Sequence, residues 1–116
     1  MTAGAMERVL IVGTGLIGSS IGLSLRGAGF KGRIDGWYAS STERDGAEQM
    51  GAVDGAANTA EAALELARPA DVIVLAVPVL AIKSWIERLA AVVHQGQLIT
   101  DVGSTKLEVT ELAKAL

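Results

Sequence analysis

An α/β fold, with a parallel sheet covered by helices on both faces, is predicted by three observations. Two short continuous apolar runs, "RVLIV" (Arg8–Val12) and "DVIVLAV" (Asp71–Val77), read as strands buried on both sides. Segments of helical periodicity alternate with strand-like segments along the chain. Half of the residues are apolar but only 3% are aromatic, and Gly and Ala abound. Such small side chains suit close packing of helices on a sheet better than a β-sandwich, which draws on aromatic and β-branched residues.

The elements follow in order. Arg8–Val12 is a strand stopped by Gly13, and a helix runs from Leu16 to Ala28 with Leu16, Ile17, Ile21, Leu23 and Leu25 as its apolar positions. "GAG" at Gly27–Gly29 closes it. "GRIDGWY" (Gly32–Tyr38) is the second strand. Ser40 and Glu43 have capping-box spacing before a helix to about Met50, and Asn58 and Glu61 repeat the pattern before a helix that Pro69 ends. Between these two helices "AVDGA" (Ala52–Ala56) is a short edge strand. After Asp71–Val77 and Pro78 a helix presents Ile82, Trp85, Ile86, Leu89 and Val93 on one face until "HQGQ" stops it. "LITDV" (Leu98–Val102) is the fifth strand, and the last helix starts at Lys106.

The length of 116 residues fits one domain. Residues 1–7 read as a disordered leader, lacking the basic start and apolar run of a signal peptide, and residues 8–116 as the domain. The net charge of −3 leaves no basic stripe for nucleic acid. With no Cys and a single His, neither a thiol nucleophile nor a zinc centre is expected. The longest apolar stretch, Val72–Ile82, is interrupted by Pro78 and far short of the ~20 residues that span a bilayer. A soluble, cytoplasmic protein is expected.

Gly13, Gly15 and Gly18 form G-x-G-x-x-G directly after a buried strand and at the opening of a helix, the context in which this spacing signals a dinucleotide site. The first glycine permits a sharp turn, the second close approach of a pyrophosphate, and the third close packing of helix on strand. Free amides and the helix dipole then face the anion. This makes the fold a Rossmann-type doubly wound sheet. It has five strands where a complete one has six, and the chain stops in the helix that would lead to the sixth.

NAD-preferring sites carry Asp or Glu about twenty residues past the last glycine, where it accepts from the ribose 2′-OH. That count lands on Tyr38, and Asp35 stands roughly 10 Å too early at ~3.3 Å per residue. Ser40, Ser41, Thr42 and Arg44 follow, a set of hydroxyls and one cation that suits a 2′-phosphate. NADP is therefore expected ahead of NAD; the alternative is that Ser40 and Thr42 only cap the next helix while Arg44 is a solvated surface charge.

With "GTGLIGSS", "DVIVLAVP" and "TDVGSTK" in this order, the chain resembles the prephenate and arogenate dehydrogenases, which oxidatively decarboxylate their substrates in tyrosine biosynthesis. The resemblance runs from Arg8 to Leu116, and "TDVGSTK" (Thr100–Lys106) is its most specific piece. It implies that Leu16, Ile17, Ala76, Val77, Pro78 and Gly103 border the cofactor beside the glycine turn. It also implies that Ser104 lies at the active site by the nicotinamide and the substrate ring hydroxyl. Ser104 or Thr105 also suits a cap for the last helix.

Two departures stand out. Tyr38 occupies the family's acidic position. The family's catalytic histidine, in a His-Pro motif on the next strand, and the helical domain that supplies most substrate-binding groups have no counterpart in these residues. His94, the sole histidine, reads as a surface or capping residue. The implied role is cofactor binding, inactive by itself, with the small-molecule substrate handled only by the full-length enzyme. A homodimer is expected, with neither nucleic acid nor membrane as partner. Two other readings stay open: another reductase of the β-hydroxyacid dehydrogenase kind, and a stand-alone nucleotide-sensing module.

Overall fold

The computed structural model describes residues 7–13 and 15–101. Val102, Gly103, Ser104, Thr105 and the helix expected from Lys106 lie outside the described residues, as does the expected leader up to residue 6. Glu7 was expected in that leader but is tied to the sheet. Its N–H donates to Asp71 Oδ2 at 2.7 Å, and its carbonyl accepts from Arg33 N at 2.7 Å.

The order is β1 (Arg8–Gly13), α1 (Gly15–Gly27), β2 (Arg33–Tyr38), α2 (Ser41–Gln49), β3 (Gly55–Ala57), α3 (Ala60–Ala67), β4 (Val72–Ala76), α4 (Val79–Leu89) and β5 (Leu98–Asp101). All strand pairs are parallel, in the order β3-β2-β1-β4-β5. The five strands and the doubly wound arrangement agree with the reading of the sequence.

Strand periodicity divides the core. Val9, Ile11, Ile34, Val72 and Val74 face α1 and α2, joined by Ile21 and Leu25 of α1 and Ala47 of α2. Leu10, Val12, Ile73 and Leu75 face α3 and α4, joined by Ala63, Ala67, Trp85 and Leu89. Both faces of β1 and β4 are therefore covered, which explains their unbroken apolar runs.

Four local expectations change. Of the five apolar positions expected to pack in α1, only Ile21 and Leu25 are buried, while Leu16, Ile17 and Leu23 are exposed. The packed face is instead the row Gly18, Ile21, Gly22, Leu25, since a Cβ on Gly22 would overlap the Ala52 carbonyl oxygen. The third helix is capped by Thr59 and not Asn58. Thr59 Oγ1 accepts from Ala62 N at 3.0 Å, because β3 runs to Ala57 and the chain needs two residues to turn. The edge strand sits at Gly55–Ala57 rather than Ala52–Ala56, leaving Ala52 and Val53 as buried loop residues. Finally, α4 ends at Leu89. The amides of Val92 and Val93 both bond to the Leu89 carbonyl, folding those residues back toward the core before "HQGQ" is reached.

Candidate functional site

The strand order reverses between β1 and β4, and the carboxyl ends of these strands form the place where open α/β sheets bind ligands. Strand register sets three residues side by side there: Gly13 is level with Tyr38 on one side and Ala76 on the other. Val77 and Pro78 continue from β4, with Pro78 exposed as the N-cap of α4.

Two helices begin at this switch point, α1 and α4, and neither has an acidic residue in its first turn. By contrast, α2 and α3 carry Glu43 and Glu61 there. The positive ends of α1 and α4 are thus left without a neutralising carboxylate, which fits an anionic ligand. Leu16 and Ile17, exposed at the start of α1, flank the opening together with Val79 and Leu80 of α4.

The glycines are required by contact. A Cβ on Gly13 would stand 2.7 Å from that of Ala76. One on Gly18 would stand 3.0 Å from Tyr38 Cε1 and 3.4 Å from Ile11 Cγ2. Their role here is close approach of strand to strand and helix to strand. Neither is in the left-handed backbone region, which among the described glycines holds only Gly29, Gly51 and Gly96. Gly15 is the first residue of α1.

Tyr38 does not extend toward the rim. It is 5% exposed, and its ring lies in the core beneath Gly18 and beside Gly36 and Val53. Among the described residues, neither its hydroxyl nor the equally buried Ser19 Oγ has a hydrogen-bond partner. Burial pushes the Tyr38 phenol above its ordinary value. The nearby Ser19 hydroxyl offsets part of that rise without a well-formed bond, and Glu43 and Glu48 add to it. Ser20 is exposed, and its Oγ donates to the Leu16 carbonyl one turn back along α1 at 2.9 Å.

Ser40 is the N-cap of α2, and its Oγ accepts from Glu43 N at 3.1 Å. Ser41 and Thr42 are exposed in the first turn. Arg44 is one-quarter exposed, its Nε 3.6 Å from Asp45 Oδ1, a long surface pair of small worth. Asp35 stays mid-strand, level with Leu10, and is held by Arg33 Nε at 2.9 Å.

His94 sits among the connections at the amino ends of the strands, away from Gly13, Tyr38 and Ala76. Its Nδ1 donates to the Gln95 carbonyl at 2.7 Å, and its N–H donates to Gln97 Oε1 at 2.7 Å. Gln97 in turn donates to the carbonyls of Ala67 and Ala70. Sequence reasoning passed over Trp37. It immediately precedes Tyr38, so strand alternation turns it to the opposite face, where it joins the Trp85 cluster. Among the described residues no group of His, Cys, Asp and Glu stands ready for a metal, and no helix is long and apolar enough to cross a membrane.

Comparison with known proteins agrees with this geometry. The family described as "Prephenate dehydrogenase, nucleotide-binding domain" matches residues 21–116. The chain is 38% identical to a prephenate dehydrogenase of Lactococcus lactis over 96% of its own length and 30% of the relative's. A Bacillus subtilis prephenate dehydrogenase is 33% identical over 92% of this chain and 28% of the relative. The chain thus spans about 30% of the length of these curated relatives. Among solved structures, prephenate dehydrogenase from A. aeolicus, in complex with hydroxyphenyl propionate and NAD+, superposes with a TM-score of 0.78 at 27% identity. That match covers 94% of this chain and 39% of the other. Synechocystis arogenate dehydrogenase gives 0.70 at 29%, covering 92% and 36%.

Proposed function

The chain belongs to the prephenate dehydrogenase family, as its nucleotide-binding domain, and from that premise we propose that the glycine turn holds a nicotinamide dinucleotide, NADP+ ahead of NAD+. The observation that carries this is the row Gly13, Tyr38, Ala76 at the switch point, flanked by two helix starts free of acidic residues. The amides at the start of α1 take the pyrophosphate. Leu16, Ile17, Ala76, Val77, Pro78 and Gly103 border the rest of the cofactor. Hydride acceptance is the chemistry such a cofactor supplies, and with loss of carbon dioxide it aromatises the ring of prephenate or arogenate. The chain's own share is to hold and orient, and Ser104 is assigned the place beside the nicotinamide and the substrate hydroxyl.

The NADP preference rests on the end of β2. With Tyr38 turned into the core, no carboxylate there accepts from a ribose 2′-OH. A 2′-phosphate instead meets Ser40, Ser41 and Thr42 at the start of α2, and Arg44 after its weak pair with Asp45 is released. Glu43 in the same turn works against the phosphate, so Arg44 is decisive. We place the protein in the cytoplasm as a homodimer, with its small-molecule substrate met in the full-length enzyme and no nucleic-acid or membrane partner.

Calorimetric titration of both cofactors into the protein and Arg44→Ala tests this. NADP+ is expected to bind more tightly to the wild type. The substitution is expected to weaken NADP+ alone, by the ~1.5–3 kcal/mol of a hydrogen bond to a charged group. Preference for NAD+, or equal weakening of both, contradicts the phosphate site.

A further inference from the structure

We propose that Trp37, backed by Trp85, is the platform on which the adenine of the bound dinucleotide rests, an inference that builds on the cofactor reading above. In this fold the adenosine ribose lies over the end of the second strand, so the base must settle on one face of the sheet beside it. The face toward α1 is closed by Tyr38, whose ring is packed beneath Gly18. On the other face Trp37 is partly open. It is level with Val12 of β1 and Ala57 of β3, one residue short of the strand end. Val77 and Ala81 pack into the same cluster.

The aromatic pair stands out from its surroundings. The core on this face is otherwise Ala, Val, Leu and Ile, yet it contains both tryptophans of the chain. Their ring centroids are 4.9 Å apart at 59°, an arrangement in which one ring fixes the orientation of the other. Trp85 is itself 5% exposed and lies beneath the Arg88 guanidinium at 5.4 Å. Trp37 is therefore held in place before any ligand arrives, so stacking a purine on it orders no further side chain. An indole face offers a base the stacking surface that aromatic residues give nucleotides elsewhere.

The two tryptophans also supply the readout. Trp85→Phe leaves Trp37 as the only tryptophan, and adenosine 2′,5′-bisphosphate, the adenine half of NADP+, serves as the probe. Its binding is expected to quench Trp37 emission strongly in Trp85→Phe and to change Trp85 emission little in Trp37→Phe. Trp37→Leu is expected to weaken both the bisphosphate and NADP+ roughly tenfold, the order of one lost base–aromatic stack. Trp37→Phe, which keeps a ring, is expected to restore most of that affinity, whereas a purely structural tryptophan would shift only the thermal midpoint. Trp37 emission unchanged at calorimetric saturation would place the base elsewhere, for instance in the shallow groove between α1 and α2 lined by Leu16, Ser19 and Met50, and overturns the proposal. So does wild-type affinity in Trp37→Leu. If neither the bisphosphate nor a dinucleotide binds the wild type, the cofactor reading itself fails and this inference with it.

Discussion

The ring of Tyr38 fills the space that a side chain on Gly18 would need, with Cε1 3.0 Å from the position of that Cβ. The last residue of β2 and the third glycine of the turn are thus a packed pair, and the start of α1 is seated on the tyrosine. Gly18→Ala is expected to destabilise the fold by about 1–3 kcal/mol, the range for overpacking a filled site. Denaturant unfolding measures it. The double variant Gly18→Ala/Tyr38→Leu is expected to recover part of the loss, and a purely additive result would show that the two residues are not coupled.

The Tyr38 hydroxyl is buried without a partner among the described residues, so Tyr38→Phe is expected to leave stability unchanged or raise it slightly. The pH dependence follows from the direction of the shift. Burial raises the folded phenol above 10.0, so the folded state holds this proton more tightly than the unfolded chain does. The resulting stability is fully present below pH 10 and is lost as the pH climbs through the higher folded value. Because Tyr38 is the only tyrosine, tyrosinate absorbance is expected to appear at higher pH in the folded protein than in the denatured chain. Tyr38→Phe removes that part of the alkaline loss; an unchanged alkaline slope in the variant would contradict the assignment.

Two glycines of α1 are expected to respond in opposite directions to the same change. A Cβ on Gly22 overlaps the Ala52 carbonyl, backbone that cannot swing aside, so Gly22→Ala is expected to be severely destabilising. Gly27, the last residue of α1, has nothing within 4 Å of such a Cβ. There Ala is expected to stabilise by up to about 0.5–1 kcal/mol, through the freedom glycine loses on folding. Thermal unfolding of the two variants is the check.

Much of the fold was legible because strand burial writes itself as letters. The runs Arg8–Val12 and Asp71–Val77 marked the two central strands, and β–α alternation implied parallel pairing. The face of α1 was not legible, because it is made of glycines that attract a helix by what they lack, while Leu16, Ile17 and Leu23 look like core and are exposed. Asn58 and Thr59 are equally able to cap, and only the end of β3 decides between them. At the site, counting from Gly18 located Tyr38 at the end of β2. Nothing in the count showed that its ring turns into the core and that Trp37 holds the other face, since alternation fixes opposition but not direction.

The 116-residue chain is expected to bind cofactor without turning over prephenate or arogenate. His94, its only histidine, is bonded to Gln95 and Gln97 at the amino ends of the strands, opposite the proposed cofactor site. General-base help is worth about 10²–10⁴-fold, and a histidine so placed supplies none of it. The assay follows reduced nicotinamide by absorbance with each substrate and cofactor. Turnover within about tenfold of a full-length relative, sensitive to His94→Gln, would contradict this placement of the histidine.

The central claim is that the turn opening α1 at Gly15 binds the pyrophosphate of a nicotinamide dinucleotide. The most direct test is calorimetric titration of NADP+ into the wild type and Gly15→Val, with thermal unfolding of both. A valine at the first position of α1 is expected to obstruct the phosphate and abolish binding while unfolding remains cooperative. Unchanged NADP+ affinity in a folded Gly15→Val protein would contradict the account.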